Sequence, residues 1–369
     1  MRWRACAAVV LVGLSVLLPG MDHVLETGQV DPLDWSAPAI VGMLLLTAML
    51  RWIAGRWRWL IVIVALATVA MPPLMLCLVG SSGQSGRMAA WLRPTPARLS
   101  VEQRRPALAV LSGPILCAPP PSGSWQKGFV ETPLWRILSR RFAMHPLDAL
   151  DDRSLAATKT LLIVQPRALA PEEMVAMDDW VRRGGHAVLL VDADLRWADA
   201  RPLGHPLRPP ARTLIGPLLR HWGLTLMTGL DDGALIERRF VDGGLLQLAG
   251  ASHFVPRHRN CATSSSALIA RCRIGTGVAV LVADADFAND ALWTAQPDRP
   301  EDSRRWTSDA PHILTDWLSA APPPGTRKHV WLTRANGLPG ALISAVAMLM
   351  IVAMVTFVLI GRDPKEDMR

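Results

Sequence analysis

Apolar residues are spread unevenly along the chain, and their spacing divides it into three stretches. Three apolar runs fall near the start, Ala5 to Leu18, Pro38 to Ile53 and Trp59 to Val79, and a fourth, Leu338 to Ile360, lies near the end. Runs two to four approach the ~20 apolar residues that a hydrocarbon layer of ~30 Å requires. They are read as transmembrane helices at about 5–20, 38–54, 59–79 and 338–361. The first follows Met-Arg-Trp-Arg, as a signal peptide would, but Pro19, Gly20, Met21 and Asp22 come where a small-residue cleavage site belongs, which favours an uncleaved anchor.

Between the third and fourth runs, 81–336 reads as one domain of alternating strands and helices. Ala107 to Ser112 and Thr160 to Val164 are compact apolar runs of the kind buried strands show. Thr132 to Phe142 reads as a helix. Pro171 with Glu172 and Glu173 opens another helix, whose Met174, Met177, Trp180 and Val181 form one stripe and whose end is marked by Arg182, Arg183, Gly184 and Gly185. The strand Ala187 to Val191 follows directly, and a strand, helix, strand unit of this length returns in parallel. The expected fold class is therefore α/β, a mostly parallel sheet with flanking helices, plus transmembrane helices at both ends.

Further along, Leu214, Leu218, Leu219 and Trp222 mark a helix stopped by Gly223. Leu235 to Phe254 reads as strands around Asp242-Gly243-Gly244, and a hairpin is expected about Gly275-Thr276-Gly277. Pro311 to Leu318 is the last expected helix, with Pro-Pro-Pro-Gly at 322–325 as a linker.

Charge gives the four spans a direction. Met21 to Ala37 holds no Lys or Arg, whereas the next loop carries Arg51, Arg56 and Arg58, so the first loop is expected outside and the second inside. This implies a multi-pass protein of a bacterial inner membrane, with a periplasmic main domain and a cytoplasmic tail at 362–369. Basic residues on both flanks of the domain, Arg87, Arg93 and Arg98 and then Arg327, Lys328 and Arg334, run against that rule. The net charge of +8 is arginine dispersed through loops, without the aromatic stripe of a nucleic-acid surface, so no nucleic-acid partner is expected.

Cys261 and Cys272 flank a loop and strand that can bring them together, as a structural disulfide or as free buried thiols; Cys117 is left without a partner. His205, His221, His253 and His258 lack zinc spacing, and neither a P-loop nor a Gly-x-Ser-x-Gly motif is present. No cofactor is expected.

One echo carries candidate chemistry. Val188-Leu-Leu-Val-Asp-Ala-Asp-Leu and Val280-Leu-Val-Ala-Asp-Ala-Asp-Phe each set Asp-Ala-Asp after a buried strand, at the sheet end where ligands of parallel sheets bind. Asp192, Asp194, Asp284, Asp286 and the nearby Asn289 are the candidate ligand-binding residues. Paired carboxylates could hold a hard cation such as Mg²⁺ or accept hydrogen bonds from a sugar. The ordinary use of Asp at such places is as a turn or cap residue.

The run Leu161-Leu-Ile-Val-Gln-Pro, then Leu169-Ala-Pro-Glu-Glu, Trp180-Val-Arg-Arg-Gly-Gly and Ala187-Val-Leu-Leu-Val-Asp resembles the GldG-like family. Arg273-Ile-Gly-Thr-Gly and the following strand to Asp290 are similar to that family's closing hairpin, so the likeness covers about Ala107 to Ser319. The resemblance implies a Rossmann-like domain related to the class I glutamine amidotransferase fold, in a membrane-anchored bacterial protein described as a domain of unknown function or an ABC-transport accessory. It implies a non-catalytic binding or scaffolding subunit beside a separate ATPase and permease. The amidotransferase nucleophile is missing. The alternative is a metal-dependent hydrolase or carbohydrate-active enzyme using the Asp192/Asp194 and Asp284/Asp286 pairs.

Overall fold

The protein is described here by a computed structural model. It describes residues 26–29, most of 105–319, and residues 329 and 331; within the central stretch 114, 119–129, 198, 200, 203–204, 206–207, 230–235 and 259 are outside the description. Two compact units divide the chain, Pro94–Lys328 and a unit of the flanking segments Met1–Arg93 and His329–Arg369. In the flanking unit, Gln29 and Trp331 form an antiparallel bridge, and Trp331 is fully buried beside the His329 ring.

In chain order the central unit contains strands β1 (Ala107–Ser112), β2 (Cys117–Ala118) and β3 (Val130–Glu131), helix α1 (Pro133–Ser139), strand β4 (Ala143–Pro146), helix α2 (Asp152–Ala156), strand β5 (Thr160–Val164), helix α3 (Pro171–Arg182) and strand β6 (His186–Leu190). Then come helix α4 (Gly216–His221), strands β7 (Leu224–Met227), β8 (Glu237–Val241), β9 (Gly244–Leu248), β10 (His253–Pro256), β11 (Cys261–Ser264), β12 (Ile269–Ile274) and β13 (Gly277–Val282), and helix α5 (Ala310–Leu318).

Seven strands make the main sheet in the order β11-β12-β13-β6-β5-β1-β4. From β13 to β4 every pairing is parallel, while β11, β12 and β13 pair antiparallel, so the sheet is mixed. The parallel part has β1 between β4 and β5, an order of 2-1-3-4-5, and this differs from the 3-2-1-4-5-6 order of a dinucleotide-binding Rossmann sheet. Burial explains the apolar runs: Leu161 to Val164 and Ala187 to Leu190 are covered on both faces, as central parallel strands are.

Local chemistry fixes the element ends. Pro171 starts α3 without losing a useful N–H, and Glu173 Oε2 accepts from the Ala170 amide at 2.8 Å. Gly184, at φ 107°, ends the helix. β12 and β13 turn through Gly275 at φ 60°; β8 and β9 turn through Asp242 and Gly243, both at positive φ, as a two-residue hairpin loop demands. Gly277 is needed for a different reason, because an added Cβ would lie 2.0 Å from Val181 O at the end of α3. The expected helix over Thr132 to Phe142 is shorter, Pro133–Ser139, and its last residues turn into β4 on the sheet edge. Phe254 does not continue the β8 and β9 hairpin, since β10 pairs with β7 in a sheet of its own.

The membrane expectations require correction. Among the described residues no helix is long and apolar enough to cross a membrane. The longest described is α3, whose 12 residues would span about 18 Å of a ~30 Å layer. The runs at 5–20, 38–54, 59–79 and 338–361 lie outside the described residues. Among the described residues the fold class is thus corrected to a mixed α/β sheet with no membrane-crossing helix, and the multi-pass, inner-membrane and periplasmic placement is withdrawn.

Candidate functional site

The register of the sheet converts the sequence echo into a cluster. β6 and β13 are adjacent and parallel, with Leu190 opposite Val282. Carrying that register two residues on sets Asp192 beside Asp284, just beyond both strand ends. The short 3₁₀ turn Asp286–Ala288 then swings Asp286 inward. Carboxylate oxygens of Asp192, Asp284 and Asp286 all lie within 4.8 Å of one another. All three residues are almost wholly buried, at 0%, 0% and 2% exposure.

Each carboxylate is tied to the chain around it. Asp192 Oδ1 accepts from Ser252 Oγ at 2.8 Å and from the Asp194 amide at 2.9 Å, and Oδ2 from the Ala285 amide at 3.3 Å. Asp284 uses both oxygens, accepting from the Phe287 amide at 2.9 Å and the Ala249 amide at 3.0 Å. Asp286 accepts from the Arg196 amide at 2.7 Å. The trio therefore fastens the loop after β6, the β9–β10 connection and the turn after β13 to the end of the sheet.

Burial sets the electrostatics. Loss of water pushes the Asp192 carboxyl up, and its hydrogen-bond donors only partly oppose this. Asp284 rises well above the usual carboxylate range through burial and then through repulsion from Asp192 and Asp286. Asp286 is pushed up to about 7, again mainly by burial, with the Arg196 amide pulling the other way.

The other candidates are not brought into the cluster. The Asp194 side chain is 56% exposed and stands 3.8 Å from Arg196 Nε. Asn289 caps the next 3₁₀ turn by accepting from the Ala291 amide at 3.1 Å. Cys261 and Cys272, directly opposite each other on β11 and β12, are joined in a disulfide. Cys117 begins β2 and pairs through its backbone with Glu131. His221 Nε2 lies 3.3 Å from Asp178, which also accepts from Arg182 Nε and Trp222 Nε1 in a structural network.

Two contributors were not singled out from the sequence. Ser252 bridges Asp192 and the Ala193 amide. Gln165, buried at the end of β5, accepts from the Asp192 amide through Oε1 at 2.8 Å and donates through Nε2 to Pro210 O at 2.9 Å. Gln165 sits at φ 38°, a conformation few non-glycine residues adopt. The one signal available was its place straight after a buried strand.

Neither a family model nor a characterised protein matches the sequence. Solved structures with some likeness include the exo-β-1,4-mannosidase of Opitutaceae bacterium strain TAV5, 14% identical, with 58% of this chain and 36% of that chain covered at a TM-score of 0.36. A β-galactosidase from Rahnella sp. R3 is 16% identical over 43% of this chain and 25% of its own, at 0.30. A cytoplasmic protein of Salmonella typhimurium LT2 is 11% identical over 52% of this chain and 87% of its own, at 0.33. The chain thus spans about a third of the mannosidase, and scores this low carry no argument about activity. The GldG-like resemblance rests on its motifs alone.

Proposed function

We propose that this chain is a binding or scaffolding subunit and not a catalyst, working beside a separate ATPase and permease as the GldG-like resemblance implies. The observation that carries the first part is how the best candidate carboxylates are spent. A general acid or base must reach its substrate. Asp192, Asp284 and Asp286 are almost wholly buried and each holds a backbone amide of a neighbouring loop, which suits a frame for a rigid binding surface. The test is co-purification of the tagged full chain with an ATPase and a permease, in wild-type and Asp286→Asn forms. Both forms should retain both partners; recovery of the chain without either would overturn the reading.

A second reading is favoured by one specific feature, the convergence of three carboxylates within 4.8 Å. Hard cations take oxygen ligands of this kind, and a divalent ion would cancel the mutual repulsion that raises Asp284. On that reading the cluster is the centre of a metal-dependent hydrolase. The two readings separate on cation binding, which scaffolding does not need.

A further inference from the structure

A cleft opens next to the carboxylate cluster but shares none of its acids. It encloses about 350 Å³, at the small end of the range that ligand pockets occupy, and Ala193, Thr213, Gly216 and β7 contribute to its walls. Its charge is one-sided. Arg212 and Arg220 line it, and among the described residues no carboxylate does.

Those two arginines lack the carboxylate partner that several described arginines have. Arg167, Arg182 and Arg201 each meet a carboxylate at 2.8 Å or less. Arg212 and Arg220 have no ion pair or hydrogen bond among the described residues, although each guanidinium offers five donors. Arg220 is turned toward the cleft floor, since a Cβ added at Gly216 would lie 3.3 Å from its Nη1.

Three further features point to an acceptor-rich occupant. Thr213 Oγ1 is buried in the wall without a hydrogen-bond partner among the described residues, a condition that costs free energy until an acceptor or donor arrives. The Thr213 amide is meanwhile fixed to Asp192 O at 2.7 Å, so the hydroxyl is held in place. Thr225 Oγ1 accepts from Arg257 Nε at 2.8 Å, which leaves its own proton to donate and brings a third guanidinium to the rim. Among the described residues β7 pairs on one side only, with β10, and Leu224 to Met227 line the cleft. Leu219, Leu224, Leu226 and Met227 supply the apolar part of its lining.

We propose that this cleft binds a small organic oxyanion, a carboxylate or phosphate monoester carrying a short apolar body. The guanidiniums take the charged head in the paired geometry that arginine offers such groups, the Thr213 and Thr225 hydroxyls add donors, and the leucine wall takes the tail. The site goes beyond the scaffolding role and stands or falls independently of it.

The test is calorimetric titration of the full chain with sodium hexanoate, hexyl phosphate and, as the uncharged control, hexanol. Saturable one-to-one binding of at least one anion is expected, with the tighter of the two naming the head group and hexanol roughly tenfold or more weaker. Arg212→Gln with Arg220→Gln should weaken the anion by roughly tenfold or more while the melting temperature holds, because both side chains are exposed. Thr213→Val, which keeps the shape and removes the hydroxyl, should weaken it by a smaller factor. No binding of either anion, equal binding of hexanol, or undiminished binding by the folded double variant would overturn the proposal.

Discussion

Ser252 Oγ donates to Asp192 Oδ1 at 2.8 Å while accepting from the Ala193 amide at 3.1 Å. One hydroxyl therefore joins the β9–β10 connection to the end of β6 and supports a buried carboxyl. Ser252→Ala would orphan the Ala193 amide and remove a donor from Asp192. Denaturant unfolding should show a loss of about 1–3 kcal/mol, the usual cost of an unmet buried polar group; an unchanged midpoint would deny the bridge its role.

Asp284 and Asp286 should respond oppositely to the same substitution. Asp284 accepts an amide proton on each oxygen, so Asp284→Asn sets an NH₂ against an N–H and should cost about 1–3 kcal/mol. Among the described residues Asp286 accepts one amide bond, from Arg196, and its replacement by Asn keeps that acceptor while removing a charge from the trio. Asp286→Asn should melt at a higher temperature than wild type at pH 8, with the gap closing toward pH 5.

The pH trend behind that gap has a defined sign. A buried acid whose folded pKa lies above 3.8 binds more protons folded than unfolded, so its contribution is intact below 3.8 and lost as pH rises through the folded value, about 6 for Asp192 and about 7 for Asp286. Glu173 runs the other way. The Arg167 guanidinium holds it down at about 2 against the usual 4.5, so its contribution is present above 4.5 and lost as pH falls through about 2. Melting curves should show stability declining from pH 5 to pH 8, and Glu173→Gln should flatten the acid limb alone.

The Cys261–Cys272 bridge closes a loop of 11 residues' separation, and closing a loop of that size stabilises by about 2–4 kcal/mol. Reduction, or the double serine variant, should lower the denaturant midpoint accordingly. Because the pair joins the edge strand β11 to its antiparallel neighbour β12, outside the parallel part of the sheet, the parallel core should keep its far-UV signal.

Much of the central sheet was legible because its strands are short continuous apolar runs with glycine or proline at their ends. α3 was readable to within a residue from Pro171, its stripe and the two glycines. β4 was not, since Ala143 to Pro146 has neither alternation nor an apolar run and forms a strand only because β1 offers it an edge. The candidate site was half legible. Two Asp-Ala-Asp repeats look equivalent in sequence, but the 3₁₀ turn after β13 buries Asp286 whereas Asp194 stays exposed. Ser252 was invisible and Gln165 was marked only by its place after a buried strand, because their roles come from loops that meet only after folding. The transmembrane reading came from hydropathy in 5–79 and 338–361, and the described helices do not support it.

On the proposed reading the buried aspartates fasten loops and form no catalytic metal centre. The most direct measurement is calorimetric titration of Mg²⁺ and of Ca²⁺ into the chelator-treated full chain and its Asp286→Asn variant. No stoichiometric heat is expected in either protein, and the Asp286→Asn variant should be at least as stable as wild type at pH 8. One-to-one cation binding by the wild type that disappears in the folded variant would contradict it.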